Sequence, residues 1–214
     1  MCFDYQSSFV AWGISTSAAW YLYNRNKSYD RWNASFITCF STIQLLEAGI
    51  WKTDPNGKPT KTNEVLTKLV LLGLSAQPLV QTYAGYKYTY QPVLWYLSWV
   101  FVGLVLYSLW RVLKAGPGDF YSSVGEGGHL VWHTSGASGE TGGIFGGKGL
   151  GGLYLLGLFL PLMFMKNGAG WPLLAVGAIT AAYSLFVAKK GEFGSFWCYT
   201  AVMYSIMAIL LPSN

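Results

Sequence analysis

Residues 93–110 read VLWYLSWVFVGLVLYSLW, a run with no charge and no polar stripe at helical spacing. A surface helix of a water-soluble protein keeps one polar face; this one has none. A helix needs roughly 20 apolar residues to cross a bilayer core of about 30 Å. The quoted run extends over 92–113, and six further apolar stretches lie at 7–23, 34–51, 66–84, 150–166, 171–188 and 193–212. In hydrocarbon every backbone N–H and C=O must be satisfied internally, so each stretch is expected to be a helix. The pattern predicts an all-α, polytopic integral membrane protein with seven transmembrane helices, a single domain over 1–214 with a Gly-rich loop at 114–149. That loop is too short and too rich in glycine to bury a core of its own.

Composition agrees. Charged residues make up 11% of the chain, against about 25% in ordinary soluble domains. Many aromatic residues sit at the ends of the expected spans, among them Trp20, Tyr21, Trp51, Tyr88, Trp110 and Trp171, where amphipathic rings prefer the headgroup level. The net charge of +5 is scattered through loops, without the dense basic face of a nucleic-acid-binding protein. Nine Lys and Arg fall on the side of the N-terminus and five on the other, which places the N-terminus in the cytoplasm by the positive-inside rule. Two sequons, at Asn26 and Asn33, would lie on the outer side. The first span lacks a basic leader and a small-residue cleavage site, and reads as a retained helix.

Two tempting motifs fail. GGIFGGKG at 142–149 approaches a phosphate loop, but Gly149 stands where a hydroxyl would hold Mg²⁺ and no strand precedes it. Gly146, Gly149 and Gly152 would instead let the fifth helix approach a neighbour closely. Retinal binding would need a lysine in the last span, and 193–212 has none.

Polar residues inside the spans carry more weight. Glu47 is the sole carboxylate within an expected span, five residues before Lys52, so roughly 7.5 Å inside the helix end at 1.5 Å per residue. There it opposes the helix dipole and needs a partner, a proton, or a route to the interface beside Lys52; intramembrane ionisable groups are functional candidates. Gln44 and Trp51 lie one turn to either side on the same face. Gln77-Pro78 places an amide beside a kink, where Pro78 frees the carbonyl of Leu74 and Gln77 or Gln81 would satisfy it. His129 and His133 are four residues apart, the spacing of one helical face. Cys2, Cys39 and Cys198 form no Cys-x-x-Cys pair.

Counting crossings puts Cys2, Glu47, His129 and Cys198 on one side of the membrane and Cys39 near the other. Two thiols, a carboxylate and an imidazole are the ligand types of a zinc or other transition-metal site. The same group could form a Cys2–Cys198 disulfide beside a Glu–His pair, which a cytoplasmic location would disfavour.

Five short motifs in order carry a resemblance: Met1-Cys2-Phe3, Gln44-Leu45-Leu46-Glu47 with Trp51, Gln77-Pro78, Gly128-His129-Leu130-Val131-Trp132, and Gly194-Ser195-Phe196-Trp197-Cys198. Together they resemble an uncharacterised family of small multi-pass membrane proteins of bacteria, algae and large DNA viruses. The resemblance spans nearly the whole chain and implies a topology and a set of positions, but no chemistry. His133 and Cys39 have no counterpart in its pattern.

Three functions are compatible with these residues. The first is a polar, thiol-containing site near one membrane face that binds a metal or small ligand, with Cys2, Glu47, His129 and Cys198 at its core. Gln44 and Gln77 would donate hydrogen bonds to it, and Trp51, Trp132 and Trp197 would wall it off; in an enzyme, Glu47 would be the general acid–base. The second is an accessory subunit of a larger membrane complex, with His129 on a pigment or haem. The third is a transporter or channel using Glu47.

Overall fold

The computed structural model describes residues 4–134 and 148–211. The chain starts with α1 (Tyr5–Arg25), held at its head by a reciprocal cap in which Asp4 accepts from the Ser7 N–H at 2.8 Å and Ser7 Oγ accepts from the Asp4 N–H at 2.9 Å. α2 (Asp30–Trp51) returns, and α3 (Lys61–Thr89) starts from Thr60, whose hydroxyl accepts from the Asn63 N–H. α4 (Pro92–Lys114) opens on a proline, tolerated where no intrahelical N–H bond is due. α5 (Lys148–Phe159) continues into a 3-10 stretch, Leu160–Phe164. α6 (Trp171–Val187) is followed by α7 (Phe193–Thr200) and α8 (Val202–Leu210), which form one pass with a joint at Ala201.

Between α4 and α5, where the sequence suggested a loop, lies an antiparallel hairpin: β1 (Tyr121–Val124) pairs with β2 (Leu130–His133). Gly-Glu-Gly-Gly at 125–128 makes its turn, with Gly128 at φ +81 and its N–H bonded to the Gly125 carbonyl at 3.0 Å. The hairpin overturns the reading of His129 and His133 as one helical face.

Hydrogen bonds between distant segments show that successive long helices alternate in direction. At one end the hairpin docks on the start of α3, through Asn63 Nδ2 to the Ser122 carbonyl (3.0 Å) and the Ser122 N–H to Asn63 Oδ1 (2.8 Å). The turn between α6 and α7 meets it there through Glu192. At the other end Arg25 reaches the Ile209 carbonyl at 2.8 Å, and the Tyr29 hydroxyl accepts from the Lys166 N–H at 2.8 Å.

Polarity runs inside out. Buried positions include Ser15, Gln44, Glu47, Thr67, Gln77, Gln81, Ser98 and Ser205, whereas Trp99, Leu106, Trp110, Ile179, Leu185 and Phe186 are exposed. Three helices, Lys61–Thr89, Pro92–Lys114 and Phe193–Leu210, are long and apolar enough to cross a membrane, and Leu150–Phe164 and Trp171–Val187 are shorter apolar helices. α1 and α2 have the length, but their interior-facing Ser, Thr, Asn and Gln lower their apolarity.

Of the three glycines expected to let α5 approach a neighbour, Gly152 does not; Gly157, outside that set, does. A Cβ on Gly152 would meet nothing within 4 Å, whereas one on Gly157 would lie 2.6 Å from the Pro78 Cβ and against the Phe101 ring. Gly146 lies outside the described residues.

Candidate functional site

The polar centre of the bundle lies where α2, α3, α5 and α7 meet. α2 and α3 come together at Ile43 and Gly73, so closely that a Cβ on Gly73 would lie 2.6 Å from Ile43 Cδ1. Gln44 follows Ile43, and Gln77 is one turn beyond Gly73.

Glu47 is 2% exposed. It neither snorkels nor pairs with Lys52, whose ammonium lies 4.2 Å from the centroid of the Tyr5 ring. The Ser195 hydroxyl of α7 faces its carboxyl group, with Cys198 nearby. Among the described residues its Oε1 has no hydrogen-bond partner, and neither has either amide atom of the fully buried Gln44. In Gln77, Oε1 accepts the Tyr154 hydroxyl, while Nε2 has no partner among the described residues. Neither Gln77 nor Gln81 serves the carbonyl freed by Pro78; both reach α5, Gln81 Nε2 donating to the Leu158 carbonyl at 3.2 Å.

Cys198 packs with Ile43, Leu71, Phe101 and Trp132. It also lines a cavity of about 50 Å³ with Gln77, Tyr154, Thr180 and Tyr204 among its walls. Its thiol is free among the described residues. Cys39 is also a free thiol, and Cys2 lies outside the described residues.

Of the expected aromatic walls, Trp197 lines the same cavity as Cys198, and Trp132 packs with Cys198 in the adjoining apolar cluster. Trp132 lies beside Cys198, its six-membered ring seated where a Cβ on Gly194 would be, and its indole N–H has no partner. Trp51 packs half-buried on the same cluster. Trp197 belongs to the other cluster, stacked on Phe193 and donating to Thr180 Oγ1 at 3.2 Å.

His129 sits above these residues in the hairpin, its ring edge-on to Phe196 with centroids 4.7 Å apart. His133 stacks on Tyr121 and shares a 2.9 Å hydrogen bond with Ser123. Burial pushes both imidazoles below their ordinary value. Among the described residues, no three of His, Cys, Asp and Glu come together as metal ligands.

Some important residues carried no clear signal in the sequence. Glu192 is fully buried, and its carboxylate accepts from the Gly127 N–H at 2.6 Å, tying the hairpin to the start of α7. Tyr154 and Ser195 complete the polar centre. Asn33 is buried rather than a glycan site, and its Oδ1 accepts from the Tyr204 hydroxyl at 3.0 Å. Asn26 is exposed in a left-handed helix cap.

Comparison with known protein families, curated proteins and solved structures returns no match.

Proposed function

We infer that the chain is an integral membrane protein crossing the bilayer seven times, with its N-terminal end in the cytoplasm. In this reading Glu47, Gln44 and Gln77 form an enclosed site for a small polar ligand near the hairpin end. Ser195, Cys198 and Tyr154 complete it, and the hairpin with His129 covers it. The observation that carries the reading is a set of atoms on three buried side chains that have no partner among the described residues: both amide atoms of Gln44, Oε1 of Glu47 and Nε2 of Gln77. An unmade hydrogen bond at a buried group costs about 1–3 kcal/mol. A ligand with both donors and acceptors offsets that cost.

Zinc or another transition metal is the narrower form of this proposal. Glu47 and Cys198 would supply two donors, and Cys2 would have to supply a third. The belt of exposed apolar and aromatic residues supports the lipid bilayer as the surrounding partner.

Substitution by apolar residues tests the site. If its polar groups hold a ligand, Gln44→Leu and Glu47→Leu lower the melting temperature of protein purified in native lipid. Both variants melting above wild type would mean that the groups hold nothing. Elemental analysis of the same preparations separates a metal from an organic ligand.

A further inference from the structure

We propose that the Glu47 site is one end of a proton-transfer path through the bundle, running past Tyr154 and Tyr204 to the Arg25–Asp30 pair at the opposite face. The proposal rests on the enclosed polar site described above and adds a route and a cargo.

The route is laid out in buried groups. Glu47 lies near Cys198, and Cys198 lines the cavity of about 50 Å³ together with Gln77 and Tyr154. That volume holds one or two waters, since a water's share of the liquid is about 30 Å³. Tyr204, from α8, lines the other side of the cavity and donates to Asn33 Oδ1 at 3.0 Å. Asp30 is one turn of α2 further on, bound by Arg25 through Nε (2.8 Å) and Nη2 (2.7 Å). Carboxyl, thiol and phenol groups therefore succeed one another along the bundle, and Gln77, whose Nε2 has no partner among the described residues, lines the cavity in the middle.

These groups suit a proton better than a larger cargo. A cavity of this size passes no hydrated cation, whereas a proton needs only a chain of groups that each give up one O–H or S–H hydrogen while accepting another. In each transfer a bond to hydrogen breaks on one group as one forms on the next, and no electrons are exchanged. Intramembrane carboxylates in such chains mark proton relays. Asn33 cannot pass a proton on as a hydroxyl does, so the last step crosses from Tyr204 to Asp30 by water. The Arg25–Asp30 pair thus forms the slow exit.

The test uses the whole chain in sealed liposomes containing a pH-sensitive dye, with an imposed pH gradient and valinomycin to dissipate charge. Wild type should carry protons faster than protein-free liposomes, and Glu47→Gln and Tyr204→Phe should each reduce the excess at least ten-fold, with helicity by circular dichroism unchanged. A wild-type flux equal to that of empty liposomes overturns the proposal, as does a flux untouched by both substitutions. Absence of flux together with lowered melting in Gln44→Leu would sink the relay and leave the ligand site standing. Raised melting in Gln44→Leu and Glu47→Leu would remove the site as well.

Discussion

The Tyr154 hydroxyl donates to Gln77 Oε1, joining α5 to α3 beside Pro78, while the nitrogen of the same amide has no partner among the described residues. Removing the phenol would leave Oε1 unpartnered too. Tyr154→Phe is expected to lose about 1–3 kcal/mol, the usual cost of orphaning a buried polar atom. Adding Gln77→Leu should recover part of it. Unfolding in mild detergent measures both, and a Tyr154→Phe variant as stable as wild type would show that the pair contributes nothing.

Arg25 joins a near neighbour in the sequence to a distant one. It bonds both oxygens of Asp30, and its other terminal nitrogen donates to the Ile209 carbonyl at the end of α8, 184 residues away. Removing one member of such a pair costs about 3–5 kcal/mol, because the other is left charged and poorly solvated. Asp30→Asn should therefore melt well below wild type. Arg25→Lys should not restore the contact, since an ammonium cannot reproduce the planar fork. An unchanged melting temperature in Asp30→Asn would contradict this account.

What the sequence reveals here depends on how local each determinant is. The helices follow from runs of apolar residues, and the observed ends differ mostly where capping extends them: α3 starts at Lys61 because Thr60 caps it. Glu47, Gln44 and Gln77 stand out because polar groups in apolar runs need a reason. The hairpin is harder to see, since four-residue strands around Gly-Glu-Gly-Gly leave too short an alternation to read against a glycine-rich background. Tyr154, Ser195, Glu192 and the Arg25 contacts depend on which distant passes become neighbours. No spacing within one helix encodes that.

Gly157 and Gly152 lie in the same helix with opposite surroundings. A methyl at Gly157 would press on Pro78 and Phe101, whereas one at Gly152 would meet open space. Overpacking costs about 1–3 kcal/mol, while alanine in place of glycine within a helix gains about 0.5–1 kcal/mol. Gly157→Ala should thus lower the melting temperature and Gly152→Ala should hold or raise it. The reverse order would mean that α5 packs through a different face.

The hairpin should weaken in acid. Burial lowers the affinity of His129 and His133 for a proton in the folded chain, relative to the ordinary value of 6.5. The unfolded hairpin then binds protons first as the pH falls. The stability contributed by the neutral rings is complete above pH 6.5 and declines as the pH drops below it. Amide hydrogen exchange over 121–133, corrected for its intrinsic pH dependence, should show less protection at about pH 5.5 than at about pH 7.5. A His129→Phe, His133→Phe variant should lose most of that difference. Equal protection at the two pH values in wild type would rule out the effect.

Alternating passes make a prediction about sidedness that does not depend on any activity. Lys58 and Lys190 are exposed at the hairpin end, and Lys27 and Lys166 are exposed at the Arg25 end. If the bundle spans a bilayer, single cysteines at Lys58 and Lys190, in a chain otherwise free of cysteine, should react with a membrane-impermeant maleimide from one side only. Cysteines at Lys27 and Lys166 should react only from the other. If the excess of Lys and Arg sets the orientation, the first pair faces the cytoplasm and in intact cells only the second pair should label. Labelling of all four from one side would mean that the bundle does not span the bilayer, and the enclosed site would then have to be explained without a membrane.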